Sequence, residues 1–196
     1  MSYTIKKVYY FEAPGPQNTG DCVRCAIERA SELGIHTIVV ASVSGETAMK
    51  FLQEMKGTGL SLVVVSHVVG FSEPGVWEFD PHHEEILKAG GARIVTGTHA
   101  LSGLERSLSR SSRVGGGSRT EAVAEALRRV MAPGLKVAVE CVLIATDQGV
   151  ISPSEEVIAV GGTMSGADSV CVIRPSHTAA FFDLQIREIV AMPRNR

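Results

Sequence analysis

Three short apolar runs, separated by helix-patterned segments, limit this chain to one kind of architecture. Residues 35–41 (IHTIVVA), the apolar stretch inside 60–69 (LSLVVVSHVV) and residues 92–96 (ARIVT) are too short for helices and show little polar alternation. Strands apolar on both faces are buried on both faces, as in a parallel sheet covered by helices. Between the first two runs, Ala48, Phe51, Leu52 and Met55 recur at i, i+3, i+4 and i+7, the period of an amphipathic helix. Between the next two, Asp80-Pro81 opens a helix to Ala89 with proline at its first position, and Gly90-Gly91 ends it. Ahead of them, residues 18–34 read as a helix. Asn18 or Thr19 caps it, Val23, Ala26, Ile27, Ala30 and Leu33 form its stripe, and Gly34 stops it. Residues 7–11 read as a strand closed by Ala13-Pro14-Gly15-Pro16. The pattern predicts an α/β fold with a mostly parallel sheet and helices on both faces.

The second half is less regular. Residues 98–117 are rich in Ser, Gly and Arg. Ser118-Arg119-Thr120-Glu121 is a capping box for a helix ending near Met131, before Pro133-Gly134. Residues 135–148 are almost wholly apolar. On a helix, Lys136, Glu140 and Asp147 fall within roughly 40° of one another, whereas on a strand Asp147 would face away. The run is also long for a strand. It is read as a mostly buried helix with a narrow polar stripe as its only polar outlet; the alternative is that the stripe faces a site at the helix end, with Glu140 as a base. Residues 156–160, 169–174 and 187–192 are three further strands. With no repeat and no boundary in composition, residues 1–196 are read as a single α/β domain.

A chain of 196 residues, 44% hydrophobic and 20% charged, has enough apolar material for such a core. Nineteen Lys and Arg against 21 Asp and Glu give a net charge of −2 and no basic surface for nucleic acid. No apolar run approaches the roughly 18 residues of a membrane span. The N-terminal apolar run is short and broken by Glu12, unlike a signal peptide. Four Cys in so large a chain imply no disulfide framework. A cytoplasmic protein is expected.

Ligands of open parallel sheets bind beyond the carboxyl ends of strands, where strand order reverses. Those ends here are 42–47 (SVSGET), Ser66-His67, Thr96-Gly97-Thr98-His99 and Gly161-Gly162-Thr163. A Ser-Gly turn entering a helix offers free N–H groups to an anion, and the hydroxyls of Ser42, Ser44 and Thr47 around Gly45 would complete a phosphate cradle. The same residues would equally serve as ordinary turn and capping chemistry. Arg106, Arg110 and Arg113 share one face if helical, and Gly115-Gly116-Gly117-Ser118-Arg119 leads into a helix. Arg106 and Arg119 are candidate anion contacts; a solvated loop or an oligomer contact is the alternative. His67 and His99 each follow a buried strand, placed to bind a ligand or move a proton. Phe71, Trp77 and Phe79 gather in one loop that could cover a planar ligand or pack on the core. Cys22 and Cys25 are read as small apolar helix residues rather than a redox pair, and the Asp80–Glu85 cluster as a capped helix start, so no metal site is expected. No G-x-S-x-G nucleophile elbow is present, and no catalytic residue is assigned.

Residues 38–48 (IVVASVSGETA) look like the first strand and T-x-S-G-x-T-A loop of the C-terminal α/β domain of pyruvate kinase, and residues 156–174 like its later strand, glycine loop and strand. The blocks 101–107 (LSGLERS), 118–122 (SRTEA), Gly161-Gly162-Thr163 with Gly166-Ala167-Asp168, and 192–195 (MPRN) resemble a group of small free-standing proteins built on that domain alone. The resemblance implies a three-layer α/β/α fold with central strand order 3-2-1-4-5, and a switch point between the loops 42–47 and 161–166. In some full kinases the first of these loops holds the phosphate of a sugar-phosphate activator. Ser42 in place of the usual Thr and Glu46 in place of the frequent Arg disfavour a sugar bisphosphate here. Free-standing members are associated with flavin mononucleotide (FMN). Without the kinase's catalytic barrel, pyruvate kinase activity is not expected.

The expected function is binding of a phosphorylated planar ligand such as FMN, with enzymatic activity left open. The contact set is Ser42, Ser44, Gly45, Thr47, His67, Thr98, His99, Arg106, Arg119, Gly161, Gly162 and Thr163. The alternative is a regulatory or interaction module that senses a phosphorylated metabolite. No nucleic-acid or membrane partner is expected, and self-association is left open.

Overall fold

The computed structural model describes residues 3–113 and 116–195. Its elements are β1 (Tyr9–Phe11), α1 (Thr19–Leu33), β2 (Thr37–Ala41), α2 (Glu46–Glu54), β3 (Ser61–Ser66), α3 (Pro81–Ala89), β4 (Arg93–Thr96), α4 (Gly103–Arg110), α5 (Arg119–Ala126), α6 (Pro133–Asp147), β5 (Val157–Gly161), β6 (Ser169–Arg174) and β7 (Gln185–Pro193). Local signals set most of these ends. Asp80 accepts the N–H groups of His82 and His83 at the start of α3, Ser118 accepts that of Glu121 at α5, and Gly34 closes α1 in the left-handed region. Asn18 does not cap α1 with its side chain; the amide donates instead to the Ala13 carbonyl at 2.8 Å and closes the preceding turn. Residues Leu127–Met131 widen into a π turn between α5 and α6.

The strands form one sheet in the order β1-β7-β6-β5-β2-β3-β4. The segment β4-β3-β2-β5-β6 has the expected 3-2-1-4-5 order, and β7 and β1 extend it past β6. Every pairing is parallel except those of β6 with β5 and β7. The exception follows from chain length. The loop from β5 to β6 is too short for a crossover, so the chain can only turn back on itself.

A period of two divides the core. Ile38, Val40, Leu62, Val64, Ile158 and Val160 face one way and pack with Cys22, Ala26, Phe51 and Leu87 of α1, α2 and α3. Val39, Val63, Val65, Val95 and Ala159 face the other way, against Leu135, Val139, Val142 and Leu143 of α6. Among the described residues no helix is long and apolar enough to cross a membrane.

The first turn of α6 lies directly on β5, because both contact residues are glycines. A Cβ on Gly161 would sit 2.2 Å from the Gly134 carbonyl oxygen, and one on Gly134 would sit 2.4 Å from the Ser169 hydroxyl. This backbone contact sets the height of α6 over the sheet, and so where its polar residues emerge. Gly161→Ala should therefore lower unfolding free energy by at least about 1–3 kcal/mol, the cost of forcing volume into a packed contact. Gly20→Ala has open space and ordinary helical backbone around it. It should be neutral or gain up to about 1 kcal/mol. Urea melts of the two variants check this, and equal midpoints would contradict it.

Candidate functional site

The carboxyl ends of β2, β3, β4 and β5 share one edge of the sheet, and among the described residues three cavities open there. One, of about 400 Å³, has Gly97, Ala100, Leu104 and Asp147 in its wall, and the other two hold most of the candidate residues. The smaller, about 320 Å³, lies at the switch point between the loops after β2 and β5, with Ser42, Ser44, Thr47, Ser66, His67, Cys141 and Gly162 in its wall. The hydroxyls of Ser42, Ser44 and Ser66 have partners in the fold, while that of Thr47 has none among the described residues. Ser42 Oγ accepts the Ala48 N–H at 3.2 Å, Ser44 Oγ accepts that of Glu46 at 3.5 Å, and Ser66 Oγ donates to the Val43 carbonyl at 2.9 Å. Gly45 has φ 91°, and a Cβ there would meet His83 Cβ at 2.7 Å and the Phe79 ring at 2.9 Å. The glycine is thus required by the fit of loop 42–46 against the start of α3. That fit is reinforced where the Ser44 carbonyl accepts the Asp80 N–H at 3.2 Å and lies 2.9 Å from His83 Nδ1.

The glycines after β5 have similar reasons. Gly161 makes room for α6, and a Cβ on Gly162 would fall 2.2 Å from the Gly166 carbonyl oxygen across its own loop. The buried Asp168 carboxylate holds that loop closed, accepting the Thr163 N–H at 3.0 Å and, from the β1–α1 turn, the Gly15 N–H at 3.1 Å. Thr163 Oγ1 is enclosed with no hydrogen-bond partner among the described residues.

The larger cavity, about 710 Å³, lies between the loop after β3 and helix α4. Phe71, Thr98, His99, Ser102, Arg106 and Arg110 line it. The aromatic loop is divided between two tasks. Trp77 and Phe79 stack on each other at 5.0 Å and join the core, while Phe71 lies on the His99 ring at 5.1 Å and 20°. His67 completes a cluster, 3.9 Å from Phe71 and 5.2 Å from His99. Its Nδ1 is 2.9 Å from Glu78 Oε2. Bonds from His67 and Ser72 hold the Glu78 carboxyl below the usual range.

Under His99 lies a feature the sequence reading did not place. Lys136 and Glu140 were expected on a stripe leading out to solvent, yet both are buried, at 3% and 5% exposure. Among α6's three stripe residues only Asp147 reaches the surface, where it accepts from the Thr178 N–H and hydroxyl. Lys136 Nζ donates to Glu140 Oε2, the Leu101 N–H donates to Oε1 at 2.8 Å, and His99 Nδ1 is 3.6 Å from Oε2. Burial pushes the Glu140 carboxyl up. The imidazole, the ammonium and the Leu101 N–H outweigh it and hold the group down at about 2. At 3.6 Å the imidazole contact is electrostatic rather than a short hydrogen bond. A fixed negative charge at that distance still favours the tautomer with its proton on Nδ1. His99 Nε2 and Ser102 Oγ are enclosed and have no partner among the described residues.

The two arginines named from sequence separate. Arg106 lines the larger cavity, with its Nε 3.4 Å from Glu121 Oε1. Arg119 is exposed at the start of α5 and lines neither cavity. Of the 106–120 stretch, Val114 and Gly115 lie outside the described residues.

With this geometry in place, the comparisons give the lineage. The model of the pyruvate kinase alpha/beta domain matches residues 21–173. The chain belongs to that family. Among solved structures it is similar to a pyruvate kinase from Cryptosporidium parvum, at 14% identity and a TM-score of 0.41, over 81% of this chain and 23% of that one. It is also similar to the Cryptosporidium parvum pyruvate kinase in complex with ADP, at 13% identity and a TM-score of 0.38, over 92% of this chain and 25% of that one. The chain therefore spans about a quarter of the length of these kinases. In this member of the pyruvate kinase alpha/beta family, Cys22 and Cys25 are core residues whose thiols are pushed up by burial, away from redox-active thiolates.

Glu140 offers a direct test of the buried network. Its carboxyl is depressed in the folded state, so its contribution is present above the unfolded value of about 4.3 and is lost as pH falls toward about 2. Glu140→Gln leaves Lys136 unpaired and should cost about 3–5 kcal/mol at neutral pH. The gap between parent and variant should shrink on acidification from about pH 5 toward 2. Melts across that range check it, and a gap independent of pH would contradict the ionised assignment.

Proposed function

We propose that this protein binds a small phosphorylated ligand with a planar group, FMN being the first candidate, at the carboxyl edge of its sheet. The observation that carries the reading is the larger cavity. An aromatic face, Phe71 stacked on His99, meets the guanidinium groups of Arg106 and Arg110 in one space of about 710 Å³. A planar ligand suits the first element and a phosphate the second. The stack itself is a place for exchange, since a flat ring can replace Phe71 against the imidazole or extend the pile. Phe71 is 43% exposed, so its motion costs little buried area. The smaller cavity contributes less to phosphate binding in this reading. The Ser42, Ser44 and Ser66 hydroxyls already serve the backbone, and Glu46 stands in its wall.

The alternative, a module that senses a phosphorylated metabolite and assembles with itself, draws support from the open edge of β1. Tyr3, Ile5 and Tyr10 are exposed along that edge and its approach.

Flavin fluorescence titration separates the two. FMN should bind, and riboflavin, which lacks the phosphate, should bind more weakly. Arg106→Ala should weaken FMN about 10- to 100-fold, the worth of one charge-assisted bond. Phe71→Ala should weaken both flavins by roughly two- to tenfold through lost stacking. Equal affinity for FMN and riboflavin would contradict a phosphate contact, and no uptake of either by a protein that self-associates in light scattering would favour the second reading.

A further inference from the structure

Helix α4 starts at the wall of the larger cavity, where Ser102 and Gly103 line it, with the donors of its first turn unspent. Ser102 is the residue before the helix, 3% exposed, and its hydroxyl makes no capping bond. The N–H groups of Gly103 and Leu104 have no acceptor among the described residues, as expected of a first turn without a cap. His99 lines the same cavity, and its enclosed Nε2 is also without a partner among the described residues. Buried polar atoms in native proteins are nearly always paired, so two orphans on residues that share one cavity with a helix N-terminus point to a group that belongs with them. Helix dipole, hydroxyl and arginines specify an anion.

Resting on the ligand class proposed above, we infer that this helix end is a proton-coupled receptor for a phosphate monoester. The phosphate oxygens accept from Gly103 N, Leu104 N and Ser102 Oγ, and His99 takes a proton from solvent onto Nε2 as the dianion arrives. The charges around the imidazole explain the coupling. From α6 it faces Glu140, already neutralised by Lys136; from α4 come Arg106 and Arg110; from the loop after β3 comes His67, paired with Glu78. Arg106 is itself answered by Glu121 of α5, 3.4 Å from its Nε, so a bound dianion adds net negative charge beside the ring and favours its protonated form. The imidazolium then donates from Nε2 to the phosphate while Nδ1 keeps its proton toward Glu140. Glu140 is a positioning residue here, since it touches the ring and not the ligand. Phe71 must leave the face of His99 for the phosphate to enter, which the exchange of stacking partners provides.

The test is isothermal titration calorimetry of the intact chain with FMN, and separately with inorganic phosphate, in two buffers of different ionisation enthalpy. At about pH 7.5 binding of either probe should take up a fraction of a proton. The uptake should shrink near pH 6. His99→Asn should still bind, but without uptake. Ser102→Ala should keep the uptake and bind roughly ten- to a hundredfold more weakly. Binding with no buffer dependence, or uptake unchanged in His99→Asn, overturns the receptor while leaving the planar-ligand reading intact. Uptake with phosphate but no binding of FMN upholds the receptor and overturns the planar ligand. No heat from either probe overturns both.

Discussion

A carboxylate cut off from water must be answered by the protein on every side, and Glu140 is answered from three directions. Lys136 comes from the same helix, the Leu101 N–H from the loop after β4, and His99 from that same loop one turn earlier in space. Removing any partner leaves a buried charge uncompensated. The arrangement is a costly way to gain stability, because an apolar replacement of similar volume often folds as well. What it supplies is position. The helix that forms the core of one layer grips the loop whose residues face the larger cavity. The glycine contact between α6 and β5 decides how deep that grip reaches.

Placement of the unpartnered donors follows from this. The fold's switch point lies between β2 and β5, where a small cavity is lined by the residues a sequence reader would choose first. Those residues are largely engaged with one another. The unspent donors lie two strands further along, past β4, where α4 begins without a cap and His99 is held by Glu140. The two regions meet at His67, Phe71 and His99, so a flat ligand bridging them would touch both loops.

Much of the frame was legible because its signals are local. The apolar runs of β2, β3 and β4, Asp80 before Pro81, the Ser118–Glu121 box and Gly34 each depend on neighbours within a turn. Local pattern also found the carboxyl edge, since each strand ends in small polar residues. The rest depends on partners distant in sequence. A glycine that admits a ligand and a glycine that admits a helix look alike, and Gly45, Gly161 and Gly162 each proved to face protein atoms. The division of the aromatic loop was also hidden, because Phe79 turns inward to fit Gly45 while Phe71 does not. Glu140 and Lys136, four apart on one helix, were visible as a pair. That they point at His99 rather than at water became apparent only with the sheet in place.

The claim on which the account depends most is that Glu140 fixes the His99 tautomer and leaves Nε2 as the free nitrogen facing the cavity. Nitrogen-15 NMR of the imidazole side chains in the ligand-free protein, with His99 assigned by its loss in His99→Asn, measures this directly. The account predicts a protonated Nδ1 and an unprotonated, pyridine-like Nε2 for His99 at mildly alkaline pH. It predicts a shift toward mixed tautomers in Glu140→Gln. A His99 that carries its proton on Nε2 in the parent protein would contradict it.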